Sequence, residues 1–254
     1  MNVIKFAISR SISKSQISNL YKYLKLITVT MMISLVFSSC AFEEETTVIG
    51  KYRKARYALC LEKVTQGKTY DLVFAGDSLT DLRGFEEEFR DYDCLNLGIG
   101  GDMISDLRKR LYMITNVKPK KLFILIGINS INDGEGNFSS RVSSYDELIK
   151  ELRTSLPDTE IYLESVLPVN PAYTPGLLHC TNYEIKLFNT YVEKIAEKYN
   201  AQYIDLYSLY EVDGVLRTSV TIDGVDYNAT IEGLHLTDEG YCLWYDAVRQ
   251  YVEN

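Results

Sequence analysis

The chain has 254 residues, with 27 Lys and Arg against 35 Asp and Glu, for a formal net charge of -8 at pH 7. Apolar residues make up 46% and charged residues 24%, a balance ordinary for a soluble globular protein. No basic surplus exists to neutralise phosphates, which argues against nucleic acid as a partner.

Residues 1–25 carry Lys5, Arg10, Lys14, Lys22 and Lys25 and no acidic residue. Leu26 to Ser39 is then an uncharged, largely apolar run leading to Phe37-Ser38-Ser39-Cys40. A basic region, a short apolar stretch and small residues before a cut site read as a secretory signal. The apolar run is too short to be a comfortable transmembrane helix. Cys40 after two small residues resembles the lipobox of bacterial lipoproteins, although Phe37 stands where Leu is usual. That resemblance implies that Cys40 becomes the lipidated first residue of a membrane-anchored, extracytoplasmic protein; a plain secretory signal, with a secreted or periplasmic product, is the alternative. Glu43-Glu44-Glu45 reads as part of a solvated tether and resembles surface-export signals of some outer-membrane lipoproteins. The expected organisation is a signal at 1–39, an acidic tether at 40–50 and one domain at 51–254, large enough for a good core.

Five short apolar runs follow, at Asp71–Ala75, Cys94–Leu97, Lys121–Ile126, Ile161–Leu167 and Gln202–Leu206. Near-continuous runs of this length suit parallel strands buried on both faces. Helical patterns lie between them, at about Phe85–Asp91, Met103–Ile114, Ser144–Ser155 and Asn182–Tyr199. A last helix is expected at Asp238–Val252, with Thr237 and Asp238 offering capping chemistry. Strands alternating with helices predict a doubly wound α/β sheet of five parallel strands. Residues 207–231 break the rhythm and read as a hairpin-like excursion. Cys60, Cys94, Cys180 and Cys242 match no disulfide framework or metal-ligand spacing, and Cys94 reads as a buried thiol. Two His and scattered Cys call for no metal, and the chemistry below needs no cofactor.

Four segments fall where a strand ends or just before the last helix, and ligands of open α/β sheets bind at the carboxyl ends of strands. Ser78, in Gly76-Asp77-Ser78-Leu79, follows the first strand, where a helix N-cap is the ordinary role of Ser and a nucleophile the special one. Asp77 is better suited to capping or bracing this turn than to reacting. A serine hydroxyl needs a base, and the chain has only His179 and His235. His235 lies in Glu232-Gly233-Leu234-His235, with a carboxylate three residues upstream able to hold its tautomer. His179 sits in a Pro- and Gly-rich loop. Ser78 and Gly101 can offer backbone N–H donors and Asn129 an amide donor to an oxyanion. The bland readings are a turn or phosphate-binding loop for Gly98, Gly100 and Gly101, and a turn Asn for Asn129.

With these residues in view, the sequence resembles the SGNH (GDSL) hydrolases, named for Ser, Gly, Asn and His in separate blocks. Gly76-Asp77-Ser78-Leu79, Asn96 to Asp102, Gly127-Ile128-Asn129 and Glu232 to Tyr241 carry the likeness, over nearly all of residues 70–254. The resemblance implies a flavodoxin-like three-layer α/β/α sandwich and a serine esterase. Ser78 would be its nucleophile, His235 the base, Glu232 the orienting acid, and Ser78, Gly101 and Asn129 the oxyanion hole. Ser165 to Asn170 is similar to acetylesterase-like members, which implies short acyl groups on a small-molecule or glycan ester. A lysophospholipase or lipase-type acylhydrolase, or a catalytically impaired glycan-binding lipoprotein, is the alternative. Two departures stand out. Glu232 replaces the usual Asp, leaving Asp226 or a backbone carbonyl as possible substitutes, and Ser130 replaces the Asp after Asn129. The nearby Asn132-Asp133 pair makes Asn132 the second candidate for the amide donor.

Overall fold

Each of the five apolar runs forms a strand, and together they make one parallel sheet in the order β2-β1-β3-β4-β5. The strands are β1 (Leu72–Gly76), β2 (Cys94–Asn96), β3 (Lys121–Leu125), β4 (Glu160–Glu164) and β5 (Gln202–Ile204). The computed structural model describes residues 47–176 and 178–253. The predicted signal, Cys40 and Glu43 to Glu45 lie outside the described residues.

The helices are α1 (Val48–Val64), α2 (Ser78–Asp81), α3 (Phe85–Glu88), α4 (Ile104–Lys109), α5 (Leu111–Val117), α6 (Ile128–Asn132), α7 (Phe138–Ser155), α8 (Asn182–Lys198), α9 (Leu206–Tyr210) and α10 (Asp238–Val252). Because successive side chains of a strand point to opposite faces, Val73, Ala75, Leu122, Ile124, Ile161 and Leu163 enter one core with residues of α1, α4, α5, α7 and α8. Leu72, Phe74, Phe123, Leu125 and Tyr162 enter the other, under α3, α9 and α10. This is the doubly wound, three-layer α/β/α architecture expected from the sequence. A row of stacked rings crosses the second face: Phe74 lies 4.1 Å from Phe85 and 4.7 Å from Phe123, and Phe123 lies 4.6 Å from Tyr162. Offset aromatic pairs of this kind add to the stabilisation from burial alone.

Four details differ from the sequence reading. The stretch expected to be one helix from Met103 to Ile114 is two, α4 and α5, broken at Arg110. The excursion after β5 is two separate hairpins, Glu211–Val212 with Val215–Leu216 and Ser219–Ile222 with Val225–Asn228. Helix α1 was not expected, and its first turn occupies residues 48–50 at the end of the predicted tether. It buries only Gly50, Cys60 and Val64, so it lacks the apolar stripe by which an amphipathic helix is read. The cysteines 60, 94, 180 and 242 are free thiols, with Cys94 half-buried rather than buried.

One buried carboxyl, at the end of β4, lies off the expected site. Glu164 accepts a hydrogen bond from Trp244 Nε1 of α10 at 2.6 Å, and burial pushes its pKa up to about 8. The unfolded chain ionises this group first, so folding stability falls as pH rises from about 4.5 to about 8. Glu164→Gln keeps an acceptor for Trp244 and removes this part of the slope. The variant is expected to melt several degrees higher than the unsubstituted protein at about pH 8, with a smaller difference at about pH 5. A melting-temperature difference that does not grow with pH would contradict this assignment.

Candidate active site

The site forms where β1 lies between β2 and β3, the point at which the strand order reverses. Pairing continues past the end of β2, since Leu97 N–H donates to Phe74 O and Ile99 N–H to Gly76 O. This brings the loop carrying Gly101 alongside the turn carrying Ser78. Asp77, not Ser78, caps α2: its Oδ1 accepts Leu79 N–H at 3.0 Å. Ser78 is therefore the first residue of the helix, and its hydroxyl is left for another partner. Burial pushes the Asp77 carboxyl up to about 7, against the Leu79 N–H and the nearby His235, which both favour its ionised form.

That partner is His235. Ser78 Oγ lies 2.8 Å from His235 Nε2. On the other edge of the ring, His235 Nδ1 hydrogen-bonds Glu232 Oε1, which also accepts the backbone N–H of His235 at 3.0 Å. Ser78, His235 and Glu232 are all less than a tenth exposed. The structure thus joins serine, imidazole and carboxylate in one hydrogen-bonded row.

A tight loop makes the row possible. An antiparallel bridge between Thr230 and Leu236 closes it, and His235 O accepts both Ile231 N–H and the Thr230 hydroxyl. Gly233, at φ +84°, lets the chain turn between acid and base, and a Cβ there would stand 2.3 Å from Asn170 O. Asn170 N–H in turn donates to Gly233 O at 2.7 Å, so the segment after β4 seats the loop. The extra methylene of Glu232 is absorbed by folding the side chain back over its own loop. Asp226, the possible substitute, lies in the second hairpin and bonds the Thr221 hydroxyl at 2.6 Å.

The donor residues expected from the sequence are Ser78, Gly101 and Asn129. Gly101 has φ +79°, a conformation that L side chains rarely adopt. Neither its N–H nor that of Ser78 meets a backbone acceptor among the described residues. Asn129 sits in the first turn of α6, and its Nδ2 donates one N–H to Asp102 O at 3.0 Å; an amide carries a second. Asn132 is turned elsewhere: its Oδ1 accepts His179 N–H at 2.8 Å and Cys180 N–H at 3.4 Å, and its Nδ2 bonds Asp133. It ties down the loop before α8, and His179 belongs to that loop rather than to Ser78. Ser130, in place of the usual Asp, accepts Ile104 N–H at 2.9 Å and so links α6 to the start of α4.

Sequence reasoning passed over the arginines beneath the Gly101 loop. Arg56 of α1 donates to Gly98 O and Asn96 O, each at 2.9 Å, and pairs with Asp81. Arg53 and Arg110 both reach Asp102. Arg110 left one signal, a charge three residues after Leu107 within the apolar stripe of Ile104, Leu107, Leu111 and Ile114.

Comparison with known proteins follows the same residues. A family model described as the GDSL-like Lipase/Acylhydrolase family matches residues 65–243. A search of curated proteins finds no match. Among solved structures, a GDSL-like lipase from Bacteroides thetaiotaomicron superposes with a TM-score of 0.62 at 20% identity, covering 81% of this chain and 97% of that one. An acetyl xylan esterase gives 0.56 at 19% identity, over 71% of this chain and 98% of that one. A mutant of Axe2, an acetyl-xylooligosaccharide esterase from Geobacillus Stearmophilus, gives 0.53 at 17% identity, over 74% and 96%. At these identities the likeness shows a shared fold.

Proposed function

The chain belongs to the GDSL-like lipase/acylhydrolase family and is a serine hydrolase of carboxylic esters, and from that premise we propose that Ser78 is its nucleophile, His235 its general base and Glu232 the acid that orients the base. The hydrogen-bonded row from Ser78 through His235 to Glu232 is the observation that carries this reading. His235 Nε2 takes the hydroxyl proton as Ser78 Oγ attacks the ester carbonyl. Glu232 holds the Nδ1 proton and stabilises the imidazolium that forms. The carbonyl oxygen gains charge as the tetrahedral intermediate forms, within reach of the Ser78 N–H, the Gly101 N–H and the Asn129 amide. His235 then protonates the departing alcohol oxygen, and the C–O bond breaks to leave an acyl-enzyme. Water, deprotonated by His235, attacks the acyl carbon, and the carboxylic acid leaves as Ser78 regains its proton.

The substrate we infer is a short acyl ester, an acetyl group on a carbohydrate. Two of the similar structures are an acetyl xylan esterase and an acetyl-xylooligosaccharide esterase, which supports that class. Tyr173 also supports it: it is 46% exposed, and its Cβ lies beside Gly233, which separates Glu232 from His235 in the chain. An exposed aromatic residue on the segment beside this loop suits the apolar face of a sugar. The basic and apolar leader ending at Cys40 supports an extracytoplasmic, lipid-anchored location.

Hydrolysis of p-nitrophenyl acetate tests the mechanism. Ser78→Ala is expected to lose at least about 10³-fold in kcat, and Glu232→Gln roughly 10²- to 10⁴-fold with KM little changed. Activity retained by Ser78→Ala would remove the nucleophile assignment; activity retained by Glu232→Gln alone would remove only the acid. For the substrate, Tyr173→Ala is expected to lower kcat/KM on an acetylated xylo-oligosaccharide by roughly 3- to 10-fold while sparing p-nitrophenyl acetate. An equal effect on both, or a preference for long-chain acyl or lysophospholipid esters in the unsubstituted enzyme, would count against the glycan reading. Fractionation tests the anchor: Cys40→Ser is expected to release the protein from membranes, and continued membrane association would refute lipidation at this residue.

A further inference from the structure

Asp102 follows the oxyanion glycine directly and is almost fully buried. Its two carboxylate oxygens are held by two arginines from different elements. Arg110, with a side chain 3% exposed, donates from Nε to Asp102 Oδ2 at 2.6 Å. The same guanidinium donates from Nη1 to Leu97 O at 2.7 Å and from Nη2 to Gly76 O at 3.1 Å. One planar group therefore spans the end of β1, the loop after β2 and Asp102. Arg53 reaches the other side, donating from Nη2 to Asp102 Oδ1 at 3.1 Å and from Nη1 to Gly101 O at 3.2 Å. The carbonyl of Asp102 is the acceptor for Asn129 Nδ2.

All three donors of the proposed oxyanion hole are thus tied to one clamp. Gly76 lies two residues before Ser78, Gly101 is held through its own carbonyl, and Asn129 is held through Asp102 O. We propose that Arg53 and Arg110, acting through Asp102, are positioning residues that set the oxyanion donors of this enzyme. The inference rests on the assignment of Ser78, Gly101 and Asn129 made above. The physical reason is the cost of an unmatched buried charge. Removing either guanidinium leaves buried carbonyl or carboxylate oxygens without a donor. The loop relaxes by moving, and a displacement of about 1 Å in a catalytic group can cost roughly 100-fold in rate. Arg53 comes from α1, which precedes the residues matched by the family model. The clamp therefore joins a peripheral helix to the chemistry.

Arg53 is the more informative position, because its side chain is 23% exposed and belongs to neither hydrophobic core. Steady-state hydrolysis of p-nitrophenyl acetate, inhibition by an arylboronic acid and thermal melts are measured on Arg53→Ala, Arg53→Lys and Arg110→Lys, with Lys51→Ala as control. A boronate adduct on Ser78 places a tetrahedral oxygen among the oxyanion donors, so it reads their position directly. Arg53→Ala is expected to lower kcat roughly 10- to 100-fold with KM nearly constant, and to weaken boronate inhibition by a similar factor. Arg53→Lys is expected to recover part of both, since lysine can reach one of the two acceptors but lacks the fork to hold them together. Arg110→Lys is expected to be worse than Arg53→Lys, because it must replace three bonds; if it does not fold, the Arg53 pair decides the matter. Unchanged kcat in Arg53→Ala, or boronate binding as tight as in the unsubstituted enzyme despite lost activity, overturns the proposal. An inactive Ser78→Ala beside a normal Arg53→Ala removes the clamp and spares the nucleophile. An active Ser78→Ala removes the reading on which the clamp rests.

Discussion

The parallel pairing of β1 with both β2 and β3 is the constraint on which the rest depends. A strand with a neighbour on each side, each running the same way, delivers three chain ends to one edge of the sheet. The connections leave that edge in different directions, so a gap opens between them. Ser78, Gly101 and Asn129 stand on those three connections. Without that shared edge, residues 78, 101 and 129 have no physical reason to meet. His235 then arrives from a fourth segment, seated by Asn170 after β4, so the neighbouring strand also has a share in placing the base.

Four buried carboxyls surround or approach this edge, and each is stabilised differently. Asp102 is balanced by two arginines, Glu232 by the imidazole and backbone N–H of His235, Asp77 by the first turn of α2, and Glu164 by an indole N–H. Burial penalises the charged form of each, and a bonded donor or cation works against that penalty. Burial pushes Asp77 up to about 7 and Glu164 up to about 8, and it raises Asp102 as well, against the two arginines that favour its ionised form. The distinction matters for the chemistry. An acid that orients an imidazolium must remain charged, and Glu232 alone of the four is bonded to a ring that can take up a proton.

The legibility of these features in the sequence follows from how local they are. The five strands were readable because each is a short apolar run, and apolar runs form strands when both faces are covered. Ser78, Glu232 and His235 could be singled out because a nucleophile needs a base and only two His were available. The choice between Asn129 and Asn132 rested on proximity to Gly127; in space Asn132 is bound to the backbone of His179 and Cys180 instead. Helix α1 escaped notice because it docks through Tyr52, Arg53 and Arg56 rather than through an apolar stripe. Hydropathy does not register a helix held by hydrogen bonds to a distant loop.

By itself, the sequence determined the α/β class, the five strands, the four segments that carry chemistry and the residue types able to perform it. Those are consequences of local periodicity, turn chemistry and the scarcity of histidine. Only the tertiary structure decided that Ser78 meets His235, that the longer Glu232 side chain folds back to meet His235, and that Arg53 and Arg110 converge on Asp102. Each of these depends on distances between groups far apart in the chain, or on the shape of a loop closed by such contacts. No local pattern encodes a distance of that kind, because it is fixed by how the sheet edge and its covering helices pack.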